Sequence, residues 1–282
     1  MRPNVTKVIQ RPSGRVGSGS YDGWVKILLP PSEGKTPAQT GPALDLDGLS
    51  APELLPQRRQ VLTALKKVSK RPDALECLGV GASLAKDVER NTVLDAIACA
   101  PALLTYSGVL YEAMGAAELV AAAADDEVLR ERLHRVLVFS ALFGRVHGLD
   151  VIPAYRLAMK TELADLGRLT SFWKPNLAES SPLSPAEVAL DCRSSDYRAA
   201  WPGPNDQIVT MGAVTVKDGK RRVVSHWAKF YRGQFAGRLL ADERRLPAST
   251  EELVSRAQES YEVEFTPHTD SKPAALTIVL GD

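Results

Sequence analysis

Short apolar runs, each stopped by proline, glycine or polar residues, limit what this chain can fold into. Val25–Leu29 (VKILL) ends in Pro30 and Pro31, and Val136–Phe139 (VLVF) leads toward Gly144. Val188–Cys192 (VALDC) runs into a polar cluster, and YEVEF and ALTIVL close the chain. Runs of this length, rich in β-branched residues and bounded this way, read as strands. Asp206–Ser225 has strand composition on both sides of Lys217-Asp218-Gly219-Lys220, a hairpin turn. Between the strands lies helical spacing. PQRRQVLTALKKVSK places Val61, Leu62, Leu65 and Val68 on one face, and HWAKFYRGQFAGRLLAD and STEELVSRAQ continue the pattern, the last opening on a capping box. Residues 92–114 read as a helix broken at Pro101, followed by a glycine-containing element. Strands and helices alternate irregularly. That predicts an α/β fold of mixed α+β character with a mixed sheet, not a regular doubly wound one.

The chain has 282 residues, 44% of them hydrophobic, enough for a full core. Its net charge of +1 announces no nucleic-acid or membrane partner, but the charge is unevenly placed. Lys217–Arg245 carries nine Lys/Arg against three Asp/Glu, and Leu246–Asp282 carries two against seven. A basic segment beside an acidic tail can make a local electrostatic footprint. The three cysteines, Cys77, Cys99 and Cys192, lack CxxC spacing, and the four histidines lack zinc-ligand spacing. No cofactor or metal site is expected. No apolar run reaches membrane-spanning length, so no membrane partner is expected and a cytoplasmic chain is. Residues 1–22, basic and Ser/Gly-rich, read as a disordered leader or an over-long start site, with the domain spanning 23–282.

LLPPSEGKT ends like a nucleotide-phosphate loop, but the first glycine of that motif falls on Leu29, and Pro30 and Pro31 have no N–H to offer an anion. The narrower reading is a strand that delivers Ser32, Lys35 and Thr36 to its carboxyl end, where they could hold an anion. A rigid turn with a solvated lysine is the other reading. ALECLGVGASLAKDVERN (74–91) pairs two helical stretches across Gly79 and Gly81, as a helix-hairpin-helix does when its backbone approaches a DNA phosphate; an ordinary turn between core helices fits equally. The helix from Ser225 puts Ser225, Lys229, Arg232 and Ala236 on one face, an anion-binding wall or a solvated surface. Arg156 beside Tyr155 can clamp a carboxylate or phosphate. Ser195 and Tyr197 follow a strand in DCRSSDYRAAW, with no G-x-S-x-G elbow around them. His147 and His226 lack an identifiable nucleophile partner.

Taken in order, these pieces resemble the YaaA family (UPF0246, DUF328), the peroxide-stress proteins of bacteria. LLPPSEGKT is similar to the family's S-P-A-K-T-like loop, and YSGVLYEAM to its K-G-x-x-Y segment. FSALFGRVHGLDVIPAYRLAMK resembles the S-G-L-Y-G…Y-R-L-E-M block. SFWKPNL, ALDCRSSDYRAAW and VVSHWAKFYRGQFAGRLL complete six ordered blocks between about Lys26 and Val263. Gly148-Leu149-Asp150 departs from the family's Pro-Leu-Asp, Ala158 from Glu, and Asp196 from Glu. The resemblance implies a single compact domain with a helix-hairpin-helix element and a positively charged cleft, DNA binding, and a role in limiting oxidative damage linked to intracellular iron. Ser32, Lys35, Gly79, Gly81, Arg156, Lys229 and Arg232 become the expected DNA- or anion-binding set. Two readings follow. The first is a monomeric DNA-binding protein of the oxidative-stress response, holding double-stranded or distorted DNA by its phosphates. The alternative is an enzyme on a nucleotide or small anionic metabolite in the same cleft, with Ser195, Tyr197 or Arg156 as catalytic candidates.

Overall fold

A computed structural model describes residues 24–217 and 220–280. The leader expected at 1–22 and the turn pair Asp218-Gly219 lie outside the described residues. The chain opens on β1 (Lys26–Leu29), then a long loop leads into α1 (Leu55–Ser69), α2 (Ala74–Cys77) and α3 (Ala85–Arg90). Next come β2 (Ala100–Pro101), α4 (Ala102–Thr105), α5 (Val109–Met114), α6 (Ala116–Ala122) and α7 (Glu127–His134). The middle holds β3 (Val136–Ser140), β4 (Gly144–His147), β5 (Val151–Ile152), β6 (Glu162–Leu163) and β7 (Gly167–Arg168). It continues through α8 (Leu169–Glu179), β8 (Ala189–Asp191) and α9 (Ser195–Ala200). The last part contains β9 (Ile208–Lys217), β10 (Lys220–Val223), α10 (Ser225–Ala241), α11 (Thr250–Gln258), β11 (Val263–Thr266) and β12 (Ala274–Leu280).

The apolar runs pair into one mixed sheet of order β11-β12-β9-β8-β1-β3-β4, with β10 paired to β9. Neighbours from β12 to β3 are parallel, while β11, β10 and β4 join antiparallel. Parallel strands are covered on both faces, which is why β3 is buried at every residue and reads as a continuous apolar run rather than an alternating one. One core runs through the whole sheet and its helices, a single compact domain.

The chain order fixes where a site can form. From β1 the chain crosses to β3 on one side, and later returns to lay β8 on the other side of β1. Reversal of direction at β1 leaves a crevice beyond the carboxyl ends of β1 and β8, the place where open α/β sheets bind ligands.

The helix expected over 92–100 is absent. Asn91–Val93 makes one 3-10 turn, and the following residues are irregular. The cause is tertiary. Buried Asn91 is occupied with the backbone of Arg156, and Cys99 N donates to Pro42 O at 2.9 Å. Pro175 hides α8 in the sequence, yet Trp173 anchors that helix, fully buried and donating to Ala141 O at 2.9 Å.

The basic segment and the acidic tail meet in space. Arg221 pairs with Glu264, Arg244 with Asp242 and Glu259, and Arg245 with Glu252. Much of the sequence's charge asymmetry is therefore neutralised within the molecule.

Candidate functional site

The crevice is occupied by a cleft of about 560 Å³. The turn after β1 (Pro30–Lys35) and the turn after β8 (Cys192, Ser194, Asp196, Tyr197) form facing walls. The 107–111 segment, Arg156–Lys160 and α10 complete it. Its charged lining is Lys35, Arg156, Lys160, Lys229 and Arg232 against Glu33 and Asp196.

The β1 turn is held by its own hydroxyl and by the facing chain. Ser32 Oγ accepts from Ser107 N at 2.9 Å and donates to Gly34 O. Thr36 N donates to Thr105 O at 2.9 Å, and Tyr111 OH donates to Pro30 O at 2.7 Å. No helix begins after Gly34-Lys35-Thr36, so the turn lacks the helix N-terminus that a phosphate loop requires. Ser32 shapes the turn, and Lys35 is what the turn presents.

Lys35 is half-buried. Its Nζ donates to Ser32 O at 2.9 Å and lies 4.4 Å from the ring centre of Tyr155 and 5.4 Å from that of Tyr106. Among the described residues no carboxylate is within ion-pair distance of it. Burial pushes its pKa down to about 7, and the Arg156 charge adds to this against weaker pull from Asp87 and Glu33. The two ring faces favour the cation and oppose burial; loss of hydration is the larger effect for an amine with one neutral hydrogen-bond acceptor.

The rings beneath Lys35 are themselves fixed. Ser140 Oγ accepts from Leu142 N (3.2 Å) and Phe143 N (3.1 Å), which fills its lone pairs, so its own proton goes to Tyr155 OH at 2.8 Å. Tyr155 OH then donates to Tyr106 OH at 3.0 Å. Burial raises the pKa of Tyr106, Tyr111, Tyr155 and Tyr197, so each is a phenol at neutral pH.

Arg156 Nη1 donates to Glu33 O at 2.7 Å, with the highly exposed Glu33 carboxylate 3.9 Å from Nη2. Asn91 fixes the backbone beneath it, giving to Arg156 O at 2.9 Å and accepting from Arg156 N at 2.8 Å. On the opposite wall Arg232 Nε donates to Met211 O at 2.7 Å, while Lys229 is exposed and has no partner among the described residues. Burial pushes the Cys192 thiol up to about 12, which leaves it protonated. α10 reaches this position because Gly233 and Gly237 let it lie against α5. A Cβ on either would sit 2.0 Å from Leu110 O or 2.2 Å from Met114 O.

Of the residues proposed from sequence, Ser32, Lys35, Gly79, Arg156, Tyr197, Lys229 and Arg232 line this cleft. Ser195 and Gly81 do not. Ser195 is the exposed first residue of α9, and its neighbours Ser194 and Asp196 face the cleft instead. Gly79, at φ 63°, and Gly81 form an exposed turn between α2 and α3, with Gly79 on the rim. His147 lies elsewhere: its backbone N donates to Ser50 Oγ and Asp150 Oδ2, and burial holds its imidazole down to about 4. The His226 side chain lies outside what is described. Sequence reasoning missed Lys160, Tyr106 and the Ser140 chain. Only the mixed polarity of Tyr106-Ser107-Gly108 hinted at them.

Among the described residues, no group of three His, Cys, Asp or Glu is placed to hold a metal ion. No helix there is long and apolar enough to cross a membrane.

Known proteins give this arrangement a family. A UPF0246 protein of Corynebacterium efficiens is 39% identical over 241 residues, covering 82% of this chain and 91% of that relative. A UPF0246 protein of Streptomyces coelicolor is 36% identical over 262 residues, covering 91% and 98%. The family model described as peroxide stress protein YaaA matches residues 25–266, which takes in every cleft residue named above, and the chain belongs to that family.

Proposed function

We propose that the cleft binds and transforms a small anionic metabolite, and that this activity is the chain's part in resisting peroxide. The stress role rests on the family's description. The observation that carries the rest is the cleft's size, about 560 Å³, combined with a cationic lining around an amine that has no acid partner. That volume lies within the range of small-molecule sites, and apolar Val109, Leu110, Leu157 and Met159 beside the charges suit a ligand with a short carbon frame. Arg156 is the anion clamp and Tyr197 a phenolic proton donor. Thermal unfolding in the presence of phosphate, pyrophosphate, small dicarboxylates or a nucleoside monophosphate tests the reading. Saturable stabilisation that Arg156→Gln and Lys229→Ala both weaken is expected. Stabilisation by duplex DNA alone, with none from the small anions, would overturn it.

A second reading keeps DNA as the ligand, favoured by the exposed Gly79–Gly81 turn on the cleft rim. Glycine backbone there can approach a phosphate closely. On that reading Lys229→Ala and Arg232→Ala weaken binding to all sequences alike, and each lowers the salt slope by about one unit.

A further inference from the structure

We infer that Lys35 is a covalent amine, and that the cleft's substrate is a small carbonyl compound, an aldehyde or ketone, carrying a carboxylate or phosphate. The inference rests on the small-anion reading and deepens it: Lys35 is the reacting group, and Arg156 with Lys229 and Arg232 are the clamp.

The contrast with the carboxylate-paired lysines motivates it. Lys26, Lys66 and Lys67 each meet a carboxylate within 3.1 Å. Lys35 meets a backbone carbonyl and two ring faces. Its hydrogen bond to Ser32 O uses one N–H and fixes the nitrogen at the cleft wall. In the free base the lone pair then remains available to the cleft. The charged groups acting on it are Arg156 (bonded to the same turn through Glu33 O), Glu33 itself and Asp87 on α3, with burial the largest influence. An amine near pKa 7 is about half free base at neutral pH, against roughly a thousandth or less for an ordinary lysine. A lysine desolvated beside another cation is a recognised way to make such a nucleophile.

The chemistry balances without an oxidant or metal. The Lys35 ammonium loses a proton to solvent, and its nitrogen attacks the carbonyl carbon to form a C–N bond. The carbonyl oxygen takes up a proton to give the carbinolamine. A further proton helps this hydroxyl depart as water, leaving a protonated imine. The sum is ammonium plus carbonyl to iminium plus water. The positive imine is an electron sink for a bond alpha to it, and the anionic end of the substrate faces the Arg156, Lys229 and Arg232 clamp.

Reductive trapping tests this on the intact protein. Glyoxylate (a carboxylate probe) and pyridoxal 5′-phosphate (a phosphate probe) are incubated separately with it, then reduced with borohydride and mapped by peptide mass. The expected result is one reduced adduct on the peptide holding Lys35. Its formation rate should rise through about pH 7 and then level, and inorganic phosphate should slow it. Lys35→Arg should lose the adduct with an unchanged circular dichroism spectrum, and Arg156→Gln should need more probe. The wild-type pH profile stands even if the variants fold poorly. Adducts spread over exposed Lys160 and Lys229, or a Lys35 rate that keeps climbing toward pH 10, would overturn the inference. Small anions that stabilise the protein while Lys35 stays unlabelled would overturn the covalent role alone. Absence of both would remove the small-anion reading with it.

Discussion

Arg193 and Lys35 follow neighbouring parallel strands, β8 and β1, and each lies against two aromatic rings. The Arg193 guanidinium is 4.2 Å from the centre of Phe139 and 5.2 Å from that of Trp201. Lys35 Nζ is 4.4 Å from Tyr155 and 5.4 Å from Tyr106. The difference is the partner. Arg193 makes two 2.9 Å bonds to Asp191 and a 2.8 Å bond to Trp201 O, and both charged side chains are fully buried. Lys35 has one neutral acceptor and opens onto the cleft. The carboxyl ends of two adjacent central strands thus lead to a cation committed to holding the fold and a cation left for a ligand. Aromatic packing alone does not tell them apart; the presence of a carboxylate does.

The largest expected effect breaks the committed pair. Asp191→Ala leaves Arg193 buried without its counter-charge and should cost about 3–5 kcal/mol of stability. Lys35→Met keeps the apolar stem and removes a desolvated amine, so its denaturation midpoint should stay level or rise. Urea denaturation of both variants checks the contrast. If the two midpoints fall together, the distinction between the cations is wrong.

The next effect concerns the wall that faces Lys35. Gly237→Ala puts a Cβ 2.2 Å from the carbonyl oxygen of Met114, a backbone atom that cannot swing aside. Separation of α10 from α5 should cost about 1–3 kcal/mol. It should also weaken anion binding, because Lys229 and Arg232 ride on α10. Retained affinity at reduced stability would show that the clamp does not depend on that close approach.

How much of this was legible in the sequence follows the range of the forces involved. β1, β3 and β8 could be read because burial on both faces writes itself as a local apolar run. The cleft set could be assembled because Lys35, Arg156 and the Lys229/Arg232 pair stand in three separate motif blocks. What could not be read depends on distant partners. Asn91 replaces an expected helix by binding the backbone of Arg156, 65 residues away. The charge of Arg221 and Arg244 is cancelled by glutamates that lie in the tail. The Ser140–Tyr155–Tyr106 chain joins three elements, and no spacing in the sequence marks it. Ser195 lies outside the cleft lining while its neighbours Ser194 and Asp196 belong to it, a difference of one position that the motif alone does not show.

Stability against pH gives a smaller and more selective signal. The folded Lys35 titrates near 7 and the unfolded one near its ordinary value of 10.5. Between those limits the unfolded chain binds a proton that the folded chain does not, so the Lys35 contribution to stability should rise with pH across that window. The buried tyrosines work the other way at the alkaline end, because their unfolded phenols ionise first. Subtracting the profile of Lys35→Met cancels them. A flat difference between pH 7 and 10 would mean that Lys35 is as well solvated as an ordinary lysine, and the comparison with Arg193 would lose its basis.

The smallest expected effects come from two exposed cations of the same basic segment. Arg221 holds Glu264 through two bonds, of 2.9 and 2.7 Å, and both side chains are half exposed. Water and salt already screen such a pair, so Arg221→Ala should not move the unfolding midpoint measurably. It should not change anion affinity either, because the charge it removes is already matched. Lys229→Ala should also leave the midpoint unmoved, for Lys229 is exposed and has no partner to lose among the described residues. Its charge faces the cleft unmatched, so phosphate affinity should fall, and more steeply at low salt than at high. Titrating both variants with phosphate and with duplex DNA separates local charge from net charge. Equal losses on the two ligands by both variants would mean that only the total charge matters, and that the cleft has no special claim on the anion.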